Sequence, residues 1–108
     1  MTSLSTHVLD IERGAPAAGV PIALYRGSEA LAHALTGPDG RIADLAGSSL
    51  EPGMYRLEFD VAAYFAAGGR TAPFLQRVSL EFRLAASDQH YHVPLLLSPY
   101  ACTSYRGS

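Results

Sequence analysis

The stretch Gln76–Leu84, QRVSLEFRL, changes character at every residue. Val78, Leu80, Phe82 and Leu84 fall on one side of an extended backbone, and Arg77, Ser79, Glu81 and Arg83 on the other. Strict alternation of this kind predicts a strand with one face buried and one in water. Met54–Asp60, MYRLEFD, repeats it, with Tyr55, Leu57 and Phe59 set against Arg56, Glu58 and Asp60. Further strands are expected over Ser3–Ile11, Val20–Arg26, Ala30–Leu35 and Gln89–Leu97, with a last short one over Tyr100–Tyr105. Turn chemistry separates them: GAPAAG at 14–19, Glu51-Pro52-Gly53, and Ser98-Pro99. Gly37-Pro38-Asp39-Gly40 fits a type I turn, with proline second and glycine fourth.

One segment leaves the two-residue period. In VAAYFAAGG, residues 61–69, Val61, Tyr64 and Phe65 recur at helical spacing. Asp60 is a candidate N-cap and Gly68 a candidate C′ residue. Two turns of helix are marginal in isolation, so this one is expected to lie on a sheet. Seven to eight short strands and one short helix indicate an all-β, antiparallel β-sandwich.

At 108 residues the chain suits a single domain, 1–108. Its 48% apolar and 17% charged residues describe a globular chain rather than a disordered one. A net charge of −2 without a run of Lys or Arg makes nucleic acid and anionic membrane poor partners. Cys102 is the single cysteine, so no intrachain disulfide is possible; it is expected to be a small, partly buried thiol. The N-terminus lacks a signal-peptide pattern and no segment reaches the length of a membrane span. A cytoplasmic location is the expectation.

The residues that could carry chemistry are few. His90 and His92 lie two apart on an expected strand and therefore on one face, about 7 Å apart. Tyr91, Val93, Leu95 and Leu97 take the apolar side, so both imidazoles look away from the core. They are either solvated surface residues, an acid–base pair, or two ligands of a metal site that would need at least one more. With His7 nearby, adventitious zinc binding and inhibition are expected. The burial of His7 is ambiguous, because Leu9 shares its face. Arg41, directly after the 37–40 turn, is either simply exposed or a bidentate clamp for a polar ligand. His33 has no assigned role. No phosphate-binding loop and no Gly-x-Ser-x-Gly elbow is present.

Three stretches together resemble one family. They are Ser5-Thr-His-Val-Leu-Asp10, Pro38-Asp-Gly-Arg41, and the run from His90-Tyr-His-Val-Pro-Leu-Leu-Leu-Ser-Pro-Tyr100 to Tyr105-Arg-Gly-Ser108. The family is that of the 5-hydroxyisourate hydrolases, the transthyretin-related enzymes of urate breakdown. The resemblance covers the whole chain. The ending Tyr105-Arg106-Gly107-Ser108 is its most specific part, since it distinguishes these enzymes from transthyretin; read alone it would be a fraying end or a cloning scar.

The resemblance implies a transthyretin-like sandwich assembled as a homotetramer, with active sites in a channel between subunits. It implies catalytic roles for His7, Arg41 and His92, and substrate binding by His7, Arg41, Tyr105, Arg106, Gly107 and Ser108, with His90 adjacent. The implied chemistry is hydrolysis of 5-hydroxyisourate to 2-oxo-4-hydroxy-4-carboxy-5-ureidoimidazoline, without metal or organic cofactor. Which histidine is the base stays open. A tail packed in a channel is expected to lose activity when extended or truncated. The rival expectation is a transthyretin-like binding protein for a flat aromatic molecule.

Overall fold

The computed structural model describes residues 1–107. Nine strands and one helix run in the order β1 (Ser3–Asp10), β2 (Ala15–Pro16), β3 (Pro21–Arg26), β4 (Glu29–Leu35), β5 (Arg41–Ile42), β6 (Gly53–Asp60), α1 (Val61–Ala67), β7 (Arg77–Leu84), β8 (His90–Leu97) and β9 (Cys102–Ser104). They form two sheets. One has the order β2-β1-β8-β9, with β5 also paired to β1; the other has the order β4-β3-β6-β7. The expected sandwich is therefore present, with every anticipated strand within a residue or two of its place except the last, where β9 is half the length expected. The two unanticipated strands, β2 and β5, have two residues each, too few to leave a periodic trace.

The alternation decides what lies inside. Tyr55, Leu57 and Phe59 of β6 are buried, as are Ile22 and Leu24 of β3; Leu4, Val8, Leu95 and Leu97 face them from the other sheet. Val78 and Leu84 close one edge of this core, and Leu80 and Phe82 pack partly buried against it. Each such side chain contributes about 1.5–3 kcal/mol relative to exposure. One pairing departs from the antiparallel pattern. β1 and β8 run parallel, in the register Ser3–His90, Ser5–His92, His7–Pro94. Period-two alternation carries no information on strand direction. Cys102 also differs from expectation: it is exposed, because a three-residue edge strand has nothing packed over it.

The helix follows β6 without a loop. Asp60 caps it, its carboxylate accepting from the Ala63 N–H at 3.0 Å. Val61, Tyr64 and Phe65 are buried beneath it. Its C-terminus is a Schellman arrangement: Arg70 N–H donates to the Phe65 carbonyl at 2.8 Å and Gly69 N–H to that of Ala66 at 3.0 Å. The left-handed residue is Gly69, with φ of 69°, and not Gly68, which has φ of −89°. The helix thus runs one residue longer than Gly68 as C′ would allow.

At the end of β1, Asp10 is fully buried and fully satisfied. Its carboxylate accepts from Tyr64 Oη at 2.7 Å, from Arg70 Nη1 at 2.6 Å, and from the backbone N–H groups of Glu12 and Arg13, both at 3.1 Å. Glu12 also pairs with Arg70. Burial alone would raise the Asp10 pKa, but the bonds from Arg70, Tyr64 and the Arg13 backbone together hold it below the ordinary aspartate value. This cluster locks the helix to the first sheet. No helix among the described residues is long and apolar enough to cross a membrane.

Candidate active site

The polar residues of interest gather on the outer face of the first sheet. Ser3, Ser5 and His7 project there from β1, and His90 and His92 from β8, because residues two apart share a face. The inner positions between them, Leu4, Thr6, Val8, Tyr91 and Val93, are buried. His92 is half-buried and His90 exposed, so the expectation that both rings avoid the core holds.

The 37–40 turn delivers the arginine. Gly40 N–H donates to the Gly37 carbonyl at 2.9 Å, and the Gly40 carbonyl accepts from Val8 N–H at 2.8 Å. Gly40 has φ of +77°, and a Cβ there would stand 2.4 Å from the Val8 carbonyl oxygen. Only glycine allows the turn to press this close to β1. The next residue, Arg41, then pairs with His7 across the β1–β5 ladder. Cross-strand partners stand about 5 Å apart at Cβ. Asp39 steadies both: its carboxylate accepts from Arg41 N–H at 3.0 Å, and its carbonyl accepts from His7 Nε2–H at 3.0 Å. The Arg41 guanidinium takes part in none of the ion pairs formed among the described residues.

The tail closes the other side. Gly107 forms an antiparallel bridge with His92, its N–H donating to the His92 carbonyl at 2.7 Å. A Cβ on Gly107 would lie 2.7 Å from His92 Cδ2. Gly107 therefore rests directly on the imidazole. Tyr105 and Arg106 go elsewhere within this chain. Arg106 lies 4.2 Å over the Tyr91 ring and donates to Gln89 Oε1 at 2.7 Å. Tyr105 and Arg106 line a cavity of about 270 Å³ with Leu80, Phe82 and Val93, at the edge between β7 and β9. The expected site residues thus divide: His7, Arg41, His90, His92 and Gly107 come together, while Tyr105 and Arg106 act here as anchors. Ser108 lies outside the described residues.

The electrostatics single out His92. Burial lowers its pKa first, and the charges of Arg41, His7 and His90 lower it further. Its imidazole is therefore neutral at pH 7 and available as a base. The expected zinc chelate lacks support: no three His, Cys, Asp or Glu residues among those described are grouped to hold a metal. The His90 and His92 rings instead both turn onto Ser5, which lies 2.7 Å from His90 Nε2 and 2.8 Å from His92 Nδ1. The sequence alone does not single out Ser3, Ser5, Gln89 or Asp39. Ser5 was accessible to it in principle, being two residues from His7 on the same face; its pairing with His92 required the parallel register.

A family model described as the HIUase/Transthyretin family matches residues 4–107. The chain belongs to this family. It is 45% identical to the 5-hydroxyisourate hydrolase of Pseudomonas aeruginosa, covering 100% of this chain and 93% of that one. It is 44% identical to the 5-hydroxyisourate hydrolase of Caulobacter vibrioides, covering both completely. Among solved structures, the Klebsiella pneumoniae 5-hydroxyisourate hydrolase superposes with a TM-score of 0.92 at 42% identity over the whole of both chains. Sea bream transthyretin in complex with thyroxine superposes with a TM-score of 0.87 at 29% identity, covering 97% of this chain and 94% of that one. Members of this family thus include both hydrolases and a thyroxine-binding protein, and the residues on the outer face must decide between them.

Proposed function

We propose that this protein is a 5-hydroxyisourate hydrolase. The observation that carries the reading is the outer-face group of a neutral, half-buried His92, an Arg41 guanidinium outside every ion pair among the described residues, and His7. The reaction requires water to add to the C6 carbonyl of the substrate and the N1–C6 bond to open, giving 2-oxo-4-hydroxy-4-carboxy-5-ureidoimidazoline. His92 takes the proton of the attacking water. Arg41 holds the substrate and the oxyanion that develops on the C6 oxygen. His7 has its Nε2–H on the Asp39 carbonyl, so it meets substrate through Nδ1. There it orients the ring as an acceptor, or hands a proton to the leaving nitrogen as an imidazolium. No step calls for a metal or organic cofactor.

The carrier reading is favoured by the likeness to the thyroxine complex. Against it, the outer face presents an arginine and three imidazoles where a flat apolar ligand needs apolar walls. We further take residues 1–108 to act as one domain, and the assembly to be a homotetramer in the cytoplasm. β7 and β9 are edge strands, suited to continuing each sheet into a partner. Ile11 and Tyr100 are large apolar side chains left 51% and 64% exposed, which a partner subunit would cover. In a tetramer the Tyr105 and Arg106 side chains would reach substrate only through a neighbouring subunit's site.

The test generates 5-hydroxyisourate in place from urate with urate oxidase and follows its ultraviolet loss with and without the protein. Acceleration over spontaneous decay is expected; a rate equal to spontaneous decay, from a tetramer verified by light scattering, overturns the activity. A monomer at micromolar concentration overturns the channel.

A further inference from the structure

The hydrogen-bonded row from Ser3 to His92 has no part in the reaction as derived above. Ser3 Oγ lies 2.6 Å from His90 Nδ1, and the other nitrogen of that ring reaches Ser5 Oγ at 2.7 Å. Ser5 Oγ lies in turn 2.8 Å from His92 Nδ1. The parallel register makes this possible: Ser3 stands beside His90 and Ser5 beside His92, at matching two-residue steps on neighbouring strands. Ser5 is 8% exposed, so water competes poorly for its hydroxyl. The neighbouring hydroxyl, Thr6 Oγ1, points inward and donates to the Val93 carbonyl at 2.6 Å. Ser5 is thus the one buried hydroxyl on β1 committed to the two rings.

A hydroxyl carries one proton and two lone pairs, so it can donate to only one of the two imidazoles and at least one ring must present an N–H to it. The two rings cannot choose tautomers independently. We propose that Ser5 is a positioning residue for His92, its hydroxyl holding the ring with Nδ1 protonated and Nε2 bare, and tying that state to His90. The hydrogen bonds then run in one direction: His92 Nδ1–H donates to Ser5, Ser5 O–H donates to His90 Nε2, and His90 Nδ1–H donates to Ser3. The reverse direction places a proton on His92 Nε2 and leaves no base facing substrate. The inference rests on the reading of His92 as general base.

The groups around His92 show why a base there needs such support. Arg41 from β5, His7 from β1 and His90 from β8 all oppose a positive charge on the ring, as does its burial. Gly107 brings only backbone. Ser5 is the group that accepts from Nδ1–H, and that bond strengthens when Nε2 takes the proton of water and the ring becomes an imidazolium. The gain is realised as charge develops, so it acts on kcat rather than on substrate binding. Hydrogen bonding to the charged form favours that form. Removing Ser5 therefore makes His92 harder to protonate and a weaker base.

The experiment compares wild type, Ser5→Ala and Ser5→Thr by kinetics and by nitrogen-15 NMR of histidine-labelled protein. In wild type, neutral His92 is expected to be protonated on Nδ1. In Ser5→Ala the single tautomer is lost, kcat falls roughly tenfold to 10²-fold with KM nearly unchanged, and the acid limb of the kcat profile moves to lower pH. Ser5→Thr, which keeps the hydroxyl, restores all three. Neutral wild-type His92 protonated on Nε2 overturns the proposal without recourse to any variant. So does folded Ser5→Ala with wild-type kcat and pH profile. The NMR signal does not depend on turnover, so a wild-type protein with the expected tautomer but no hydrolysis rejects the proposed activity and leaves the tautomer assignment standing.

Discussion

The two ends of β1 handle ionisable groups in opposite ways. At its C-terminal end Asp10 is fully buried, and every lone pair it presents is met by Arg70, Tyr64 or a backbone N–H. Burial opposes the charge, but the partners win, and the carboxylate stays ionised. Beside the other end, on the neighbouring β8, His92 is only half-buried, yet its neighbours Arg41, His7 and His90 share its sign when charged, so burial and charge act together to keep it neutral. A buried charge with opposite partners fastens structure. A base among like-charged neighbours is held ready for a proton it does not yet have. The same strand thus borders both a structural ion pair and a reactive site, His7 and Ser5 lying about 10–17 Å along it from Asp10 at ~3.3 Å per residue.

Substitutions at the two ends should separate these roles. The largest effect is expected at the reactive end. His92→Asn should lower kcat by 10²–10⁴-fold, the usual contribution of a general acid–base group, with thermal stability and assembly unchanged. Near-normal turnover would move the base to His7. The matching change at the structural end is Arg70→Ala. It leaves a buried carboxylate with Tyr64 and two N–H groups but no cation. Breaking a buried pair in this way is expected to destabilise by about 3 kcal/mol, measured by urea unfolding, with the specific activity of the folded fraction intact. Loss of activity without loss of stability would collapse the distinction between the two ends.

A smaller effect sharpens it. Gly107→Ala places a methyl 2.7 Å from His92 Cδ2. The ring is held by Ser5 and can yield only by shifting, so kcat/KM should fall at least about tenfold, with no change in melting temperature. Equal kcat/KM would return the tail to the class of loose ends. The smallest effects are those of pH. His92, with its pKa lowered, should keep the enzyme active below the ordinary histidine value of about 6.5, with activity falling only as the pH drops through the depressed pKa. Asp10 has a folded pKa below its unfolded one. Its stabilisation is therefore complete above about pH 4 and is lost as the pH falls through the folded value. An acid limb of activity above pH 6.5, or unfolding that begins above pH 5, would contradict these signs.

The sequence made one half of this comparison legible and concealed the other. Alternation along β8 placed His90 and His92 outside the core, since Tyr91, Val93, Leu95 and Leu97 had to be inside. The 37–40 turn chemistry put Arg41 at a loop mouth. Neither told which strand lies beside which. The pairing of His7 with Arg41 depends on a two-residue strand, and that of Ser5 with His92 on a parallel register; both are set by long-range packing. The Asp10 cluster was hidden for the same reason. Asp10 and Arg70 are 60 residues apart, and an aspartate closing a strand reads as an ordinary turn residue. Gly68 and Gly69 fit the helix end equally well by composition, and only the hydrogen-bond pattern distinguishes them.

The parallel pairing of β1 with β8 also governs when the site can exist. Ser3 and His90 are separated by 87 positions. During synthesis the first strand can pair with β2 and β5 early, but the edge of it that carries Ser3 and Ser5 toward β8 stays open until residues 90–97 have followed. No fragment ending before residue 90 can juxtapose these groups. Closing so long a loop before its contacts form slows folding, and an open strand edge is exposed to association throughout the delay. The reactive centre lies on the seam between two strands this far apart in sequence, so catalytic competence arrives only when that seam has closed.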